Sequence, residues 1–295
     1  MWRILGWMAM VVLYCAAGTA AGEEQLDPRL SKSQTAFEEA TKLLKAGKYG
    51  ESIIQAEQAL ELREAALGDS HQEVAASLNL LGALYQIQGG HTRAELFLQR
   101  ALTIREAALG QHHPDVATSL NRLASLYHEQ GLYSRAEPLY ERALTIQEAA
   151  LGQHHLDVAT SRNSLALLYR ERGLNSRAEP LLERALAVRE AALGKQHPHV
   201  ATSLNNLATL YHSQGLHSRA EPLYERALAI RKAAFGKQHP HVAGSLNNLA
   251  TLYHAQRLYS RAEPLYERAL AIQEAALGQQ HPRVAKLLKI GRAHV

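Results

Sequence analysis

Apolar positions along the chain fall into a pattern that returns every 42 residues. Val74, Val116, Val158, Val200, Val242 and Val284 keep this step, as do Tyr85, Tyr127, Tyr169, Tyr211 and Tyr253. So do the histidines His71, His113, His155, His197, His239 and His281. Within one interval the spacing is helical: Val116, Leu120, Leu123, Leu126 and Tyr127 share one face of a predicted helix. Pro114 suits its first position, where a missing N–H costs nothing. Gly131 suits its end, because glycine takes the left-handed conformation without a steric penalty. A second helix is predicted from Ser134 through Leu139, Tyr140, Ala143, Leu144 and Ile146 to Leu151, closed by Gly152. Ser134, with Glu137 three residues later, reads as a capping box, in which each side chain satisfies a free backbone N–H. Ser176/Glu179, Ser218/Glu221 and Ser260/Glu263 repeat it, and Thr92/Glu95 is a variant. Pro138 is then expected in the first turn, where N–H groups are unpaired anyway.

A helix of ~17 residues is about 25 Å long and cannot bury its apolar face alone. A hairpin of two such helices still exposes apolar surface at each end, and stacking like hairpins removes it. The pattern therefore predicts an all-α solenoid of antiparallel helix pairs. A half-matching unit at 31–68, where Gly47, Tyr49, Ala59 and Leu60 hold the register, precedes five complete units over 69–278 and a partial unit at 279–289. No Ser/Gly linker or charge block interrupts 31–289, so we read it as one continuous array.

The ends differ from the array. Residues 1–22 have the form of an export signal: Arg3, then an apolar run from Ile4 to Tyr14, then small residues from Ala16 to Ala21. Cleavage after Ala20 or Gly22 is expected. An uncleaved anchor is the competing reading, since no charge interrupts Ile4 to Gly22 and about 20 residues span a bilayer. Tyr14 is too bulky for the residue before a lipidated cysteine, which argues against Cys15 as a lipid anchor. Cys15 is the chain's one cysteine, so a cleaved chain has no disulfide, thiol nucleophile or cysteine metal site. The expected localisation is periplasmic or secreted. At the other end, Ile290-Gly-Arg-Ala-His-Val295 is what one frame of a common sequencing adapter encodes before a stop codon. Residues 290–295 thus read as a non-native tail, with more repeats or another domain expected past Lys289; a frayed natural terminus is the alternative. A genomic reading frame ending at Val295 would refute the first reading.

Composition narrows the function. The net charge of +4 is spread over alternating Arg and Glu, as in Glu141/Arg142, which reads as a solvated helical surface and not as a nucleic-acid interface. Sixteen histidines raise the question of metal. Adjacent pairs such as His112/His113 and His154/His155 rarely converge on one ion, however, and no cysteine or carboxylate cluster completes a ligand set. The repeated histidines read as organisers of the turn before each first helix, with no metal or cofactor expected, although a free imidazole near pKa 6.5 leaves them open to titration. There is no Gly-rich phosphate loop, Gly-x-Ser-x-Gly elbow or His-Glu-x-x-His, so no enzymatic activity is expected of this chain.

Leu81-Gly82, Tyr85, Gly89, Ala94, Leu98 and Ala101 have the spacing of the tetratricopeptide consensus. The longer unit resembles the kinesin light chain version of that repeat, as in Ser203-Leu204-Asn205-Asn206-Leu207-Ala208 followed by Ala220-Glu221-Pro222-Leu223-Tyr224-Glu225-Arg226-Ala227-Leu228. With an export signal in front, it is identified as similar to exported bacterial members. The resemblance implies a right-handed superhelical solenoid whose first helices line a concave groove that binds protein or extended peptide. Carried onto this chain, Asn79, Asn121, Asn163, Asn205 and Asn247 form a ladder along that groove, their amides able to pair with a peptide backbone. Specificity is then expected from Arg122, Ser164, Asn206 and Asn248, and from His128, Arg170, His212 and His254. The other reading of the ladder is hydrogen bonding between adjacent repeats. Lysines that form chaperone-tail clamps in this family are asparagine here, so no carboxylate clamp is expected.

Three departures stand out. Arg162 replaces the leucine of Leu120 and Leu204, which predicts looser packing in the third complete unit; Arg257 replaces a capping glycine; Leu156 replaces the proline that opens other first helices. The functional expectation is a protein- or peptide-binding adaptor. The alternatives are a self-associating scaffold in an envelope assembly and the binding arm of a larger signalling or protease-like protein. No nucleic acid partner is expected, and membrane contact only if the N-terminal segment stays uncleaved.

Overall fold

A computed structural model describes residues 27–277. The export segment, the partial unit 279–289 and the tail at 290–295 lie outside the described residues. Twelve helices follow one another: α1 (Pro28–Lys45), α2 (Tyr49–Leu67), α3 (Gln72–Ile87), α4 (His91–Leu109), α5 (Pro114–Glu129), α6 (Tyr133–Leu151), α7 (Leu156–Glu171), α8 (Asn175–Leu193), α9 (Pro198–Ser213), α10 (His217–Phe235), α11 (Pro240–Ala255) and α12 (Tyr259–Leu277). They form six hairpins, and the first opens at Pro28, three residues ahead of the unit read from sequence. Among the described residues no helix is long and apolar enough to cross a membrane.

Each hairpin packs on the next through its second helix, and successive first helices also touch directly, from α1–α3 to α9–α11. Second helices of neighbouring hairpins meet only through side chains. This closer approach of the first helices curves the stack, so that they line its inner side. The predicted apolar positions fill the seams: Val116, Leu120 and Leu126 of α5 are fully buried, as are Ala136 and Ala143 of α6.

Both turns follow from local backbone chemistry. Within the second complete hairpin, Gly131 has φ +72°, its N–H bonds the His128 carbonyl at 2.9 Å, and the Leu132 N–H reaches back to the Tyr127 carbonyl at 2.8 Å. This paired closure satisfies the last carbonyls of α5. Between hairpins, Gly152 takes φ 80° and ψ 157°, a region open essentially to glycine. His155 then caps α7, its Nδ1 accepting the Asp157 N–H at 3.1 Å. The histidine caps recur at His71, His113, His197 and His239, as organisers of this turn should.

Before α4, α6, α8 and α10 the capping boxes are not formed. Leu132, Leu174 and Leu216 are the N-caps of α6, α8 and α10 and make no side-chain cap bond, and Gly90 stands likewise before α4. The closure of the preceding helix delivers the chain at Leu132, whose carbonyl already accepts from the Ala136 N–H at 3.1 Å. The helix thus starts ahead of Ser134. Pro138 consequently lies in the second turn, where it leaves the Ser134 carbonyl without its helical donor. Ser134 and Pro138 are both exposed, and water can hydrate that carbonyl.

The glutamates of those supposed boxes join hairpins instead. Tyr127 Oη donates to Glu95 at 2.8 Å, and Arg135 reaches the same carboxylate at 2.8 Å while its guanidinium lies 3.9 Å from the Tyr127 ring centroid. Glu179, Tyr211 and Arg219 repeat this latch, as do Glu221, Tyr253 and Arg261. A second ladder links Glu64 to Arg100, Glu106 to Arg142 and Glu190 to Arg226 at 2.6–2.7 Å. The alternating charges read as a solvated face are therefore also inter-repeat ties.

Candidate peptide-binding groove

Behind the inner face runs a column of buried serines: Ser77, Ser119, Ser161, Ser203 and Ser245. Each is bonded by the residue fourteen positions earlier on a second helix. Arg63, Arg105, Arg189 and Arg231 donate to Ser77, Ser119, Ser203 and Ser245 at 2.7–3.1 Å, and Ser161 donates to Gln147 at 2.5 Å. Burial holds all four guanidiniums below the usual arginine range. Sequence reading missed this column, although its signal was present as Ser and Arg/Gln on the same 42-residue step.

The asparagine ladder connects to it. Asn79 Nδ2 donates to Ser119 at 3.0 Å and Asn121 Nδ2 to Ser161 at 2.6 Å, each crossing to the next hairpin. Further along, the bonding changes hands: Asn206 Nδ2 donates to Asn163 Oδ1 at 2.8 Å, and Asn248 Nδ2 to Asn205 Oδ1 at 2.7 Å. The change follows the residue after each asparagine, which is Leu80, Arg122 and Ser164 in the first units and Asn206 and Asn248 in the last. Asn79 is only 4% exposed, so its amide serves the joint; Asn121, Asn163, Asn205 and Asn247 are half-buried. The structure therefore gives the ladder an inter-repeat role, with the Oδ1 atoms of Asn79, Asn121 and Asn247 left over.

The variable neighbours stand differently. Arg122 reaches solvent, yet the surrounding wall and then Arg105 push its guanidinium down, and no carboxylate acts on it. Ser164, Asn206 and Asn248 are half-buried beside it along the row. At the far end of the first helices, His128 Nε2 donates to Glu171 at 2.8 Å and packs edge-on against Tyr133 and Tyr140. An open recess of about 690 Å³, lined by Ser125, His128, Tyr133, Tyr140, Ser164 and Glu171, lies here. Arg170 stands 3.6 Å from Glu171, His212 meets His217 edge-on at 5.5 Å, and His254 lies 5.1 Å from Tyr259. Burial, and then His217, lower the His212 pKa. The sequence-predicted residues are thus brought into two rows on the first helices. Among the described residues no group of three His, Cys, Asp or Glu is placed to hold a metal.

Comparison with known proteins places this geometry. The chain is similar to BtubC (BKLC) from P. vanneervenii, with 28% identity over 86% of this chain and 93% of that one and a TM-score of 0.62. It is also similar to a putative kinesin light chain from Podosopora anserina with nearly identical TPR-like repeats, with 29% identity over 70% and 98% of the two chains and a TM-score of 0.60. Aspartyl phosphate phosphatase F from Bacillus subtilis, at 13% identity over 85% and 72% and a TM-score of 0.62, shares the fold alone. A comparison with curated protein sequences gives no match. The tetratricopeptide repeat model matches residues 39–107, 97–149, 115–191, 157–233 and 219–275, well over half the chain. The chain therefore belongs to the tetratricopeptide repeat family, and its structural neighbours include the kinesin light chain-like kind.

Proposed function

We propose that this array is a non-catalytic adaptor that binds a protein segment or extended peptide along the groove lined by its first helices. One observation carries the reading. The inner face separates constant polar groups, which tie hairpin to hairpin, from variable ones such as Arg122, which is exposed and acted on by no carboxylate, and His212, which stands edge-on to His217. A polar group kept at a groove without an internal partner is free to meet one from a ligand, and such groups set which ligand is accepted. The asparagines then act indirectly, by holding the spacing of the rows. Fold alone does not name the partner. The test is affinity capture from extract of the source organism, comparing the native array with an Arg122→Ala/His212→Ala variant of unchanged helicity. A partner retained by the first and lost by the second supports the groove; the same proteins on both would sink it.

A further inference from the structure

Five histidines cap first helices, each with Nδ1 accepting the backbone N–H two residues on, at 3.1–3.2 Å. An imidazole accepts there only while that nitrogen is unprotonated. A proton sets donor against donor, and places positive charge on the positive end of the helix dipole. The first three units offset this, because the residue that donates to the cap is acidic. Asp115 and Asp157 hold a carboxylate 3.8 and 3.5 Å from the Nδ1 of His113 and His155, and Glu73 pairs with buried Arg63 at 2.8 Å.

In the fourth and fifth units the same position is His199 and His241. The rings form pairs, His197 with His199 at 5.1 Å and His239 with His241 at 5.0 Å, and Phe235 stacks on His239 at 4.7 Å. Behind each pair sits a sunken arginine. Arg189 of α8 donates to Ser203 and to Thr160 of α7, and Arg231 of α10 donates to Ser245 and the His241 carbonyl. Nearby carboxylates raise the pKa of Arg63 and Arg105 against the effect of burial, whereas burial alone acts on Arg189 and Arg231. The charged groups acting on His199 are His197 and Arg189; those acting on His241 are His239 and Arg231. Glu190, beside Arg189, is held by Arg226 at 2.6 Å. Its counterpart one unit on is Lys232, which faces Lys237 and Arg268.

We infer that the fourth and fifth complete hairpins are an acid-sensitive end of the array, in which protonation of His199 and His241, stacked against the capping rings of His197 and His239 and set beside Arg189 and Arg231 at the positive ends of α9 and α11, loosens those caps and the seats of the two helices on α8 and α10. The sign follows from the direction of the shifts. Burial first, and then the neighbouring histidine and arginine, hold His199 and His241 below the value of a free imidazole. The unfolded chain therefore takes up protons first, and stability is lost as pH falls from about 6.5 through the lower folded values. Whatever spans the inner face of these hairpins is released with them, whereas the units built on Glu73, Asp115 and Asp157 stay closed.

The full chain tests this by peptide-resolved hydrogen exchange at about pH 7.5 and about pH 5.5, either side of a free imidazole's ~6.5, with intrinsic rates corrected. The first turns of α9 and α11 are expected to lose protection several-fold at the lower pH, while those of α5 and α7 hold. His199→Asp/His241→Asp, which restores the acid of the earlier units, is expected to abolish the difference. His197→Asn/His239→Asn keeps a side-chain cap but removes the rings paired with His199 and His241, and is expected to weaken the response in a chain whose acidic pattern is untouched. Equal loss in all four helices, or a native-like response in both variants, would overturn the inference.

Discussion

Arg257 adopts φ 61° where the other hairpins have glycine, and keeps the same closure, with the Leu258 N–H on the Tyr253 carbonyl at 2.9 Å. The fold thus imposes the left-handed conformation on a residue that disfavours it. Arg257→Gly should stabilise the chain by about 0.5–1 kcal/mol after allowing for glycine's freedom in the unfolded state, seen as a small rise in the denaturant midpoint. No rise would mean that the arginine side chain compensates. Arg162 corrects an expectation of loose packing. Its guanidinium is sunk against Glu148, at 3.1 and 2.7 Å, and the Gln153 carbonyl at 2.9 Å, so the leucine's place is filled by a paired charge. It also takes Glu148 out of the ladder that elsewhere ties second helices together. Removing one member of a buried pair costs more than replacing the pair by an apolar group. Glu148→Ala, which leaves sunken Arg162 without its carboxylate, should therefore cost about 3 kcal/mol, whereas Arg162→Leu, which leaves a Glu148 that still reaches solvent, should be neutral or stabilising, by equilibrium unfolding. The reverse order would mean that Arg162 does not depend on Glu148.

At the scale of helices and turns, the period predicted the right elements: α6 ends at Leu151 as expected, and α5 ends at Glu129, two residues before the Gly131 expected to close it. Helical spacing, Pro at the first position and Gly after the last are all local signals. What was not legible was which element a polar side chain would serve. Ser134-x-x-Glu137 has the spacing of a capping box, but the 42-residue period also brings such a glutamate to the Tyr and Arg of the next hairpin, and those contacts win. Asn79 and Asn121 are periodic whether they face a ligand or a joint, and only the position of Ser119 and Ser161 decides for the joint. Ser119 accepts from both Asn79 and Arg105, at 3.0 and 3.1 Å. Ser119→Ala should leave the buried Asn79 amide without its partner and take one of two bonds from Arg105, which keeps the Asp115 carbonyl, and cost about 2 kcal/mol, whereas Ser134→Ala, an exposed residue with no cap bond, should be nearly silent. Equal losses at the two sites, measured by denaturation, would restore the capping box and demote the column.

Across the whole molecule, each hairpin touches its neighbours and little else, so stability should behave as a sum of units and joints. Removing residues 153–194 joins Gly152 to Lys195 and keeps every later residue in register. The shortened chain should stay helical, with an m-value lower by roughly a sixth, one of the six hairpins among the described residues having gone. Unfolding or aggregation would show that the units are not interchangeable. The same architecture gives the groove its meaning, because the joints fix the distance between one variable side chain and the next. The central claim is that these side chains select a peptide. Its most direct measurement is calorimetric titration of peptides selected from a displayed random library, using the native array, Arg122→Ala/His212→Ala, and the outer-face control Pro138→Ala/Pro222→Ala. The account predicts binding that falls roughly tenfold or more, ~1.4 kcal/mol, in the groove variant and is unchanged in the control. No selected peptide, or equal binding by all three proteins, would contradict it and leave a self-associating scaffold as the role to pursue.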